Sequence, residues 1–579
     1  MKKWSVGVGS VAVLAVGWLM AQSAVLWQLP RGDAHNSGFA SLPIQPPLAT
    51  LWSFIPLQPA RVNRFSLVHD GQHAFLVTPN SLYALSLADG QINESWKTTE
   101  LPHVFTTPPV VADGRVYIGT SRGEVLSFDV ETGAPGPSIA LKQVSINALG
   151  AHGGYLFLGT SDGFVHYAPL SNLTELRSAR LGYGVTTNFA FADHKDRTVV
   201  IVGTTSRLFF LNFSDQPGAP TLRELARPLP PAGGPLTDPV YDPKTDTVYV
   251  GAGSSLARYS QWGTPALPVR LKGSVLGAPV VAPDGTVFVA TDSGTVYALT
   301  PRGLSIRWQK SVMSSVHAPM LCTGEVLWVA TFDGLLLALD TRTGDIRWRF
   351  RLGDINPNFV GVTVYAPIAA TPFGLVVVDT LGRAYAFTDA RLVRDTAPPT
   401  FYDATLLLLS VERQVVGYRL LDNPVAQEAP AIPGRPPIYL RVRVADRETG
   451  VNESSLKAQL VALRAQPTPI TDLSGTFKPA TGEWTINVHV EKPVEGTPER
   501  VVRVLSPLPD GEYVVVVQAT DYAGNTVRES FGFRVDNTLP PPQLQTAQST
   551  PGAPGAPGSA PGLAGARRPF GPPGGPGGY

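Results

Sequence analysis

The sequence has a single cysteine, Cys322, and no excess charge of either sign. One cysteine excludes an intramolecular disulfide framework and any metal site built from several cysteines. The 46 lysines and arginines are balanced by 45 aspartates and glutamates, so the chain lacks the basic excess with which proteins attract nucleic acid or anionic surfaces. We therefore expect no nucleic-acid partner. The sequence also has no Gly-rich phosphate loop of the Walker or Rossmann spacing and no Gly-x-Ser-x-Gly elbow.

One apolar run lies near the start of the chain, from Val6 to Met20, and the stretch from Trp4 to Met20 approaches the roughly 20 residues that a membrane-spanning helix needs. Lys2 and Lys3 precede it and the small-residue site Ala21-Gln22-Ser23 follows it, a pattern typical of a secretory signal peptide. We expect residues 1–23 to be removed on export, and the mature protein to lie in the periplasm, at the outer membrane or outside the cell. The alternative is an N-terminal segment that is not cleaved. Association with a membrane is expected only through such an uncleaved segment or through a partner.

What the sequence does contain is a phrase repeated in eight variants between Arg64 and Asp389, of which the clearest is TPPVVADGRVYIGTSRGEVLSFDVETG. Each copy has a short apolar run, a tight turn, a second run ending in Gly-Thr or an equivalent, another turn and a third run. The ends of the second runs are 39 to 49 residues apart, which is the period of a four-stranded propeller blade. The sequence therefore predicts an all-β chain with an eight-bladed β-propeller. Seven blades are the alternative, if the weak copy from Val199 to Phe213 is an insertion.

The eighth copy, YAPIAATPFGLVVVDTLGRAYAFTDA, lacks the tryptophan-bearing fourth strand that follows the better copies. The segment ATLWSFIP, which precedes the first copy, carries Trp52 in the position of that tryptophan. We predict that this segment pairs as the outermost strand of the last blade. A ring closed by strands from both ends has no exposed strand edge at its seam.

The repeat pattern stops after Arg394, where a second domain is predicted. Period-two alternation of apolar and polar residues in IYLRVRVADRETGVNESSL, GEWTINVHV and GEYVVVVQATDYAGNTV predicts half-buried strands of a sandwich. The DYAGN turn and the closing VDNTLPP resemble those of bacterial immunoglobulin-like modules. We therefore expect a propeller over residues 24–394, an immunoglobulin-like β-sandwich over 395–538 and a disordered Pro/Gly-rich tail over 539–579.

The repeats resemble those of the pyrroloquinoline quinone (PQQ) type of β-propeller, which is shared by quinoprotein dehydrogenases and BamB-like outer-membrane assembly factors. The resemblance rests on VYIGTSRGEVLSFDVETG, VFVATDSGTVYALTPRGLSIRW and LWVATFDGLLLALDTRTGDIRW, and on WQLPRGDAHNSG, which is similar to the family's usual start. It covers roughly Leu26 to Asp389. It implies the fold and not an activity, because the shared residues form turns and packing contacts.

Candidate site residues come from the predicted starts of the innermost strands, which face one end of the central channel. The candidates for the channel rim are Arg64, Thr107, Asn147, Asn188, Asp238, His317 and Tyr365. The resemblance implies that a quinoprotein dehydrogenase would need acid and amide ligands for calcium, a base beside the quinone and usually two adjacent cysteines. Asp238 is the only carboxylate of the set and the cysteine pair is absent. We therefore predict binding residues at the rim, and no catalytic, cofactor-binding or metal residues.

The sequence leaves three functions open. The favoured one is a non-catalytic exported binding or scaffold protein of the cell envelope, which needs no cofactor and whose propeller face recognises an envelope protein or an extracellular polymer. The first alternative is an oxidoreductase that uses PQQ with calcium at a degenerate site. The second alternative is surface adhesion through the sandwich domain, where Asp446, Glu448, Asp521 and Asp536 could gather at one end and bind calcium.

Overall fold

The computed structural model describes residues 26–57, 67–94, 96, 104–195, 197–215, 220–228, 235–301, 303–356, 361–409, 414–420, 429–463, 468–493 and 503–542. Regular structure in these ranges consists of 43 β-strands and two short 3₁₀-helices, Leu352–Asp354 and Glu453–Ser455. Neither helix is long and apolar enough to cross a membrane. The predicted signal peptide, Arg64 and most of the predicted tail lie outside the described residues.

The first 31 strands lie between Leu48 and Asp389. They are β1 (Leu48–Phe54), β2 (Val68–His69), β3 (His73–Val77), β4 (Leu82–Ser86), β5 (Val110–Ala112), β6 (Arg115–Gly119), β7 (Glu124–Asp129), β8 (Ile139–Ala140), β9 (Ile146–His152), β10 (Tyr155–Thr160), β11 (Phe164–Pro169), β12 (Arg177–Arg180), β13 (Ala190–His194), β14 (Arg197–Gly203), β15 (Leu208–Ser214), β16 (Thr221–Ala226), β17 (Val240–Asp242), β18 (Thr247–Ala252), β19 (Ser255–Ser260), β20 (Pro265–Arg270), β21 (Val280–Val281), β22 (Val287–Ala290), β23 (Thr295–Leu299), β24 (Ile306–Ser311), β25 (Leu321–Cys322), β26 (Val326–Ala330), β27 (Leu335–Asp340), β28 (Ile346–Arg351), β29 (Ala369–Thr371), β30 (Gly374–Val378) and β31 (Ala384–Asp389).

These strands form antiparallel sheets. Within each sheet, strands that follow one another in the chain lie side by side, and β1 is the exception. The described sheets are β2-β3-β4, β5-β6-β7-β8, β9-β10-β11-β12, β13-β14-β15-β16, β17-β18-β19-β20, β21-β22-β23-β24, β25-β26-β27-β28, and β29-β30-β31 with β1. First strands of successive sheets contact each other, as β13 contacts β17 and β17 contacts β21. Apolar clusters join successive sheets: Phe157 and Val165 of one sheet pack with Val200 and Phe209 of the next. Sheets that stack face to face around an axis in this way form a β-propeller.

The segment around Trp52 closes the ring, as predicted. β1 pairs antiparallel with β31, and Trp52 lies opposite Ala386. On the inner side of the same seam, His69 of the first sheet places its Nε2 2.7 Å from the carbonyl oxygen of Ala370 in the last sheet. Burial lowers the pKa of the His69 imidazole to about 4. The imidazole is therefore neutral at neutral pH, and its Nε2–H donates across the seam.

Tryptophans near the outer edges of sheets connect neighbouring sheets. The indole Nε1 of Trp52 donates to the carbonyl oxygen of Leu87 at 2.9 Å, in the turn that follows β4. The indole lies against Gly90 of that turn, whose φ is +69° and where a Cβ atom would come within 2.6 Å of the ring. Only glycine tolerates so close a contact at positive φ. Trp96 and Trp308 likewise donate to carbonyls of the sheets that follow them. We call this contact a tryptophan latch.

Residues 26–44, which we call the inner segment, run along the channel wall before β1. Their carbonyl oxygens accept hydrogen bonds from backbone amides of six sheets: Trp27 from His69, Gln28 from Val111, Ala34 from Phe191, His35 from Tyr241, Ser37 from Val281 and Gly38 from Cys322. All six amides belong to the innermost strands of their sheets. The inner segment thus provides hydrogen-bond partners for backbone amides of the innermost strands, which would otherwise face the channel without partners.

The remaining strands form the second part of the molecule. They are β32 (Thr400–Leu409), β33 (Val415–Arg419), β34 (Ala431–Ile432), β35 (Ile438–Ala445), β36 (Lys457–Leu463), β37 (Thr468–Leu473), β38 (Gly475–Lys478), β39 (Glu483–Asn487), β40 (Val490–Pro493), β41 (Arg503–Ser506), β42 (Gly511–Thr520) and β43 (Thr526–Val535). Two five-stranded sheets, β33-β32-β35-β39-β38 and β34-β43-β42-β36-β37, accompany the hairpin β40-β41. Leu440 of one sheet and Val515 of the other share an apolar cluster, so these two sheets pack as a β-sandwich.

The sandwich contacts the propeller through a loop that repeats a propeller turn. Residues 446–450, Asp-Arg-Glu-Thr-Gly, share the pattern Asp-x-x-Thr-Gly with residues 129–133 and 340–344. In all three the aspartate Oδ1 accepts hydrogen bonds from the amides two and three residues later. The carbonyl of Thr449 accepts the indole N–H of Trp348 at 2.9 Å. The sandwich loop therefore provides Trp348 with a carbonyl acceptor, as the turn of the next sheet does for the tryptophan in a latch.

Candidate functional site

The loops that lead into the innermost strands enclose a cavity of about 330 Å³, which we call the channel mouth. Seven of the described sheets contribute to its lining. In several loops the lining residues lie two positions apart, as in the pairs Thr106 and Pro108, Thr186 and Asn188, His317 and Pro319, and Tyr365 and Pro367. Alternate residues of an extended chain point to the same side. Each of these loops therefore presents two residues to the cavity.

Five of the predicted rim residues lie in the lining of the channel mouth: Asn147, Asn188, Asp238, His317 and Tyr365. All five are half-buried, with part of the side chain accessible. The sixth, Arg64, lies outside the described residues. The structure thus places five predicted residues in one cavity, and their role in binding stays a prediction.

The prediction for Thr107 is wrong. Thr107 is fully buried, and its Oγ1 accepts a hydrogen bond from the backbone N–H of Gly119 at 2.9 Å. Thr187 and Thr237 accept the corresponding bonds in their own sheets. The residue after each of the three threonines lines the cavity, and of the threonines themselves only Thr237 also lies in the described lining. The prediction is one position out of phase, because the sequence does not show which residue of the loop bonds to the glycine.

One wall of the channel mouth is polar. The backbone N–H and the side-chain Nδ2 of Asn188 donate to the two carboxylate oxygens of Asp238, at 2.8 and 3.0 Å. The Nδ2 of Asn147 donates to the carbonyl oxygen of Val185 at 2.9 Å. Carboxylate and carbonyl oxygens only accept hydrogen bonds, so both amide groups must turn their nitrogens toward these partners. Their Oδ1 atoms are left as acceptors on the wall.

Another part of the lining is aromatic. The His317 imidazole stacks on Phe332 with the ring centroids 4.7 Å apart. Tyr365 meets both rings edge-on, at 5.1 Å from His317 and 5.4 Å from Phe332. Burial lowers the pKa of His317, and the charge of Asp292 opposes this shift. The imidazole is therefore neutral at neutral pH, and it offers the cavity a ring without a charge.

Arg31 of the inner segment lies close to the polar wall. It is only 1 % exposed, and its Nη2 donates to the carbonyl oxygen of Pro279 at 2.8 Å. Burial lowers the pKa of its guanidinium to about 10, whereas the nearby carboxylates of Asp238 and Asp33 favour its charged form. Arg31 thus stays charged at neutral pH. The sequence gives no sign of this position, because Arg31 and Pro279 are 248 residues apart in the chain.

The described part of the channel mouth does not fit the calcium and quinone site of a PQQ-dependent dehydrogenase. Calcium takes six to eight oxygen ligands, several of them carboxylates. The described lining offers Asp238 alone as a carboxylate, and both of its oxygens already accept hydrogen bonds from Asn188. The described lining instead combines acceptor oxygens with aromatic rings in one cavity.

A second group of titratable residues lies where the sandwich meets the propeller. Carboxylate oxygens of Asp395, Asp446 and Asp521 lie within 4.8 Å of one another, and all three residues are buried. Glu448 joins them through a hydrogen bond with Asp395. The sequence predicts Asp446, Glu448 and Asp521 here, but Asp536 instead accepts a hydrogen bond from the amide of Thr538. Binding of calcium by this group stays a prediction.

Burial and mutual repulsion raise the pKa values in this group. Burial raises the pKa of Asp446 to about 6, and repulsion from Asp395 adds to the shift. The pKa of Glu448 rises to about 7 through burial, its hydrogen bond with Asp395 and repulsion from the neighbouring carboxylates. Asp354, which pairs with Arg351, also has its pKa raised by burial to about 7. These groups keep protons at pH values at which exposed carboxyl groups are ionised.

Raising the pH from 6 to 8 is expected to destabilise this junction. A raised carboxyl pKa means that the folded state binds more protons than the unfolded chain, so the stabilising contribution is present at low pH and lost as the pH rises through about 7. Glu448→Gln removes an ionising group and keeps a side chain that can donate to Asp395. In buffer with EDTA, we expect the Tm of the wild-type sandwich to fall by about 4 °C, roughly the effect of 1 kcal/mol in a domain of this size. The variant should fall less, and equal slopes for the two proteins would contradict this.

Comparison with known proteins agrees with the propeller topology. The family described as outer membrane protein assembly factor BamB matches residues 242–390, about a quarter of the chain. No curated protein matches the chain. Similar solved structures include BamB from Moraxella catarrhalis, with 15% identity and a TM-score of 0.46 over 59% of this chain and 99% of that one.

Two further solved structures are similar at the same level. The computationally designed protein Ika8 has 15% identity and a TM-score of 0.46, over 58% of this chain and 98% of its own. Sqt1 from Saccharomyces cerevisiae has 11% identity and a TM-score of 0.47, over 59% of this chain and 98% of its own. TM-scores this low carry no functional argument. The family match shows that residues 242–390, which form propeller sheets, are similar to the BamB family.

Proposed function

We propose that this protein is a non-catalytic, exported binding or scaffold protein of the cell envelope, and that the channel mouth of its propeller recognises a partner. The observation that carries the proposal is the channel mouth itself, a cavity built by loops of seven sheets. Rigid faces built from loops suit recognition of another macromolecule. The match to a family of assembly factors supports a protein-interaction role.

Apolar side chains around the channel mouth support a protein partner. Val104, Tyr183 and Met313 lie in loops that lead to the channel mouth, and they are 49%, 38% and 90% exposed. Exposed apolar side chains that a partner can bury are typical of protein interfaces, whose central part is more apolar than the rest of the surface. We therefore favour a polypeptide over a polymer of another kind.

We further propose that the described sheets are the eight blades of one ring over residues 24–394 and that the sandwich over residues 395–538 is immunoglobulin-like. The weak copy of the repeat forms the central strands of a complete four-stranded sheet, β13-β14-β15-β16. This supports eight blades over seven. The charged start and small-residue site of the first 23 residues support export.

A pull-down from envelope extract tests the proposed function. We expect full-length wild-type protein to retain a specific partner and Met313→Asp to retain at least about tenfold less, because a charge would be buried at the edge of the interface. The matched control is Leu267→Asp, since Leu267 is 85% exposed on the outermost strand β20. This control should retain the partner as the wild type does.

Two results would sink the proposal. The first is a partner retained equally by wild type, Met313→Asp and Leu267→Asp, which would place recognition on another face, such as that of the sandwich. The second is stoichiometric binding of PQQ with calcium followed by turnover of alcohols or sugars, measured as reduction of a dye. The latter result would show an oxidoreductase.

A further inference from the structure

We propose that the channel mouth selects a cationic side chain, an arginine or lysine of the partner polypeptide. This inference rests on the proposed function, since it takes the channel mouth to be the binding site. It adds the chemical class of the group that enters the cavity.

The atoms that the polar wall leaves free are acceptors. The Nδ2 groups of Asn147 and Asn188 donate to Val185 and Asp238. No described residue donates to the Oδ1 of either asparagine. The hydroxyl of Thr106, which also lines the cavity, is used internally, since its Oγ1 donates to the carbonyl of Ile146 at 2.5 Å. A ligand group that bonds to these two Oδ1 atoms must therefore bring hydrogen-bond donors. Guanidinium and ammonium groups are the side chains that only donate.

The charges around the polar wall favour a positive ligand. Arg31 carries one positive charge, and the two carboxylates that act on it, Asp33 and Asp238, carry two negative charges. The group therefore keeps one negative charge that no described ion pair neutralises. Asp238 is half-buried in the cavity lining, where the attraction for a cation is stronger than at an open surface.

The aromatic part of the lining suits the same ligand. A cation is attracted by the face of an aromatic ring, and guanidinium groups also stack on such rings. His317 and Tyr365 line the cavity with Asp238, and the His317 ring stacks on Phe332. Because the imidazole is neutral, it does not repel a cation. A cationic side chain thus meets acceptors and aromatic rings in one cavity.

The test uses N-acetyl-arginine methylamide as the probe and its citrulline analogue, which has nearly the same shape and no charge. Binding to the full-length protein is measured by ligand-detected NMR. We expect the arginine probe to bind wild type at least about tenfold more tightly than the citrulline probe, because hydrogen bonds to a charged group are stronger than those to a neutral group. A lysine probe should also bind.

Three variants locate the probe in the cavity. Asp238→Asn removes the negative charge and should weaken arginine binding about tenfold. Tyr365→Leu leaves the Asn188–Asp238 hydrogen bonds in place and should also weaken binding. Asp113→Asn makes the same chemical change at an exposed hairpin and should bind as wild type does. Thermal unfolding of each variant shows whether the fold is intact, and Tyr365→Leu keeps the test decisive if Asp238→Asn unfolds.

Several outcomes would overturn the inference. Equal binding of the arginine and citrulline probes would remove the selectivity for charge. Binding of calcium chloride or cellohexaose in the cavity, without binding of the arginine probe, would assign the acceptors to a metal ion or a sugar. If Met313→Asp loses the envelope partner while Asp238→Asn and Tyr365→Leu retain it fully, the proposed function stands and the selection of a cation is wrong.

Discussion

Replacing Trp52 with alanine is expected to lower the free energy of unfolding of the propeller by about 3–5 kcal/mol. Trp52 is 7% exposed and lies on β1, the strand that closes the ring. The substitution removes a large buried ring, its hydrogen bond to Leu87 and its packing against Gly90. The substitution leaves a void at the seam, where β1 pairs with β31 and no turn connects the two strands. The sheets on both sides therefore lose a shared contact.

Urea unfolding followed by far-ultraviolet circular dichroism measures this effect as a shift in the midpoint of the propeller transition. Trp52→Phe keeps an aromatic ring and loses the N–H donor, so we expect a smaller loss, about 1–2 kcal/mol. Trp262→Ala is the matched control, since Trp262 is 37% exposed on an outer turn. It should cost about 1 kcal/mol or less. Equal losses for Trp52→Ala and Trp262→Ala would show that the seam does not depend on the latch.

Replacing Trp348 with alanine is expected to lower stability by a similar amount and also to separate the sandwich from the propeller. Trp348 is fully buried, and its ring packs with Trp328 and Phe350. Its indole N–H donates to the carbonyl of Thr449 in the sandwich. The loss of the ring should cost about 3–5 kcal/mol. The sandwich loop also loses the hydrogen bond from the Trp348 indole to the Thr449 carbonyl.

Limited proteolysis and thermal unfolding distinguish the two effects. For Trp348→Ala we expect faster cleavage between residues 390 and 399 and two separate unfolding transitions. Trp308→Ala is the matched control, because the Trp308 indole donates to the carbonyl of Thr341 in the next propeller sheet. It should lower propeller stability and leave the connection to the sandwich protected. The same cleavage rate in both variants would contradict a specific role of Trp348 at the junction.

The fold could be predicted because its signals are local. Asp113 and Gly114 have φ values of 47° and 69°, as a two-residue hairpin turn between antiparallel strands requires. Such turns recur at a fixed period, and the apolar runs between them can only be buried against neighbouring copies. The missing strand of the last copy and the extra strand around Trp52 then indicate how the ring closes.

The site could be predicted only in part, because its details depend on contacts between distant residues. Position in the repeat places Asn188, Asp238 and His317 at the channel. It does not reveal that Arg31 lies near Asp238, since that contact depends on a segment outside the repeats. Asp395 escapes prediction for a related reason. It lies in the connection between the two domains, and only the packed structure brings it beside Asp446 and Asp521.

The inner segment and β1 have a consequence for the order of folding. They precede every sheet in the chain, yet Ala34 bonds to Phe191, Gly38 bonds to Cys322 and β1 pairs with β31. Contacts between residues so far apart require large loops to close, and proteins rich in such contacts fold slowly. β1 therefore lacks its strand partner until the chain extends as far as Asp389, whereas the partners of the inner segment are spread from His69 to Cys322. The ring cannot close until both β1 and β31 are present.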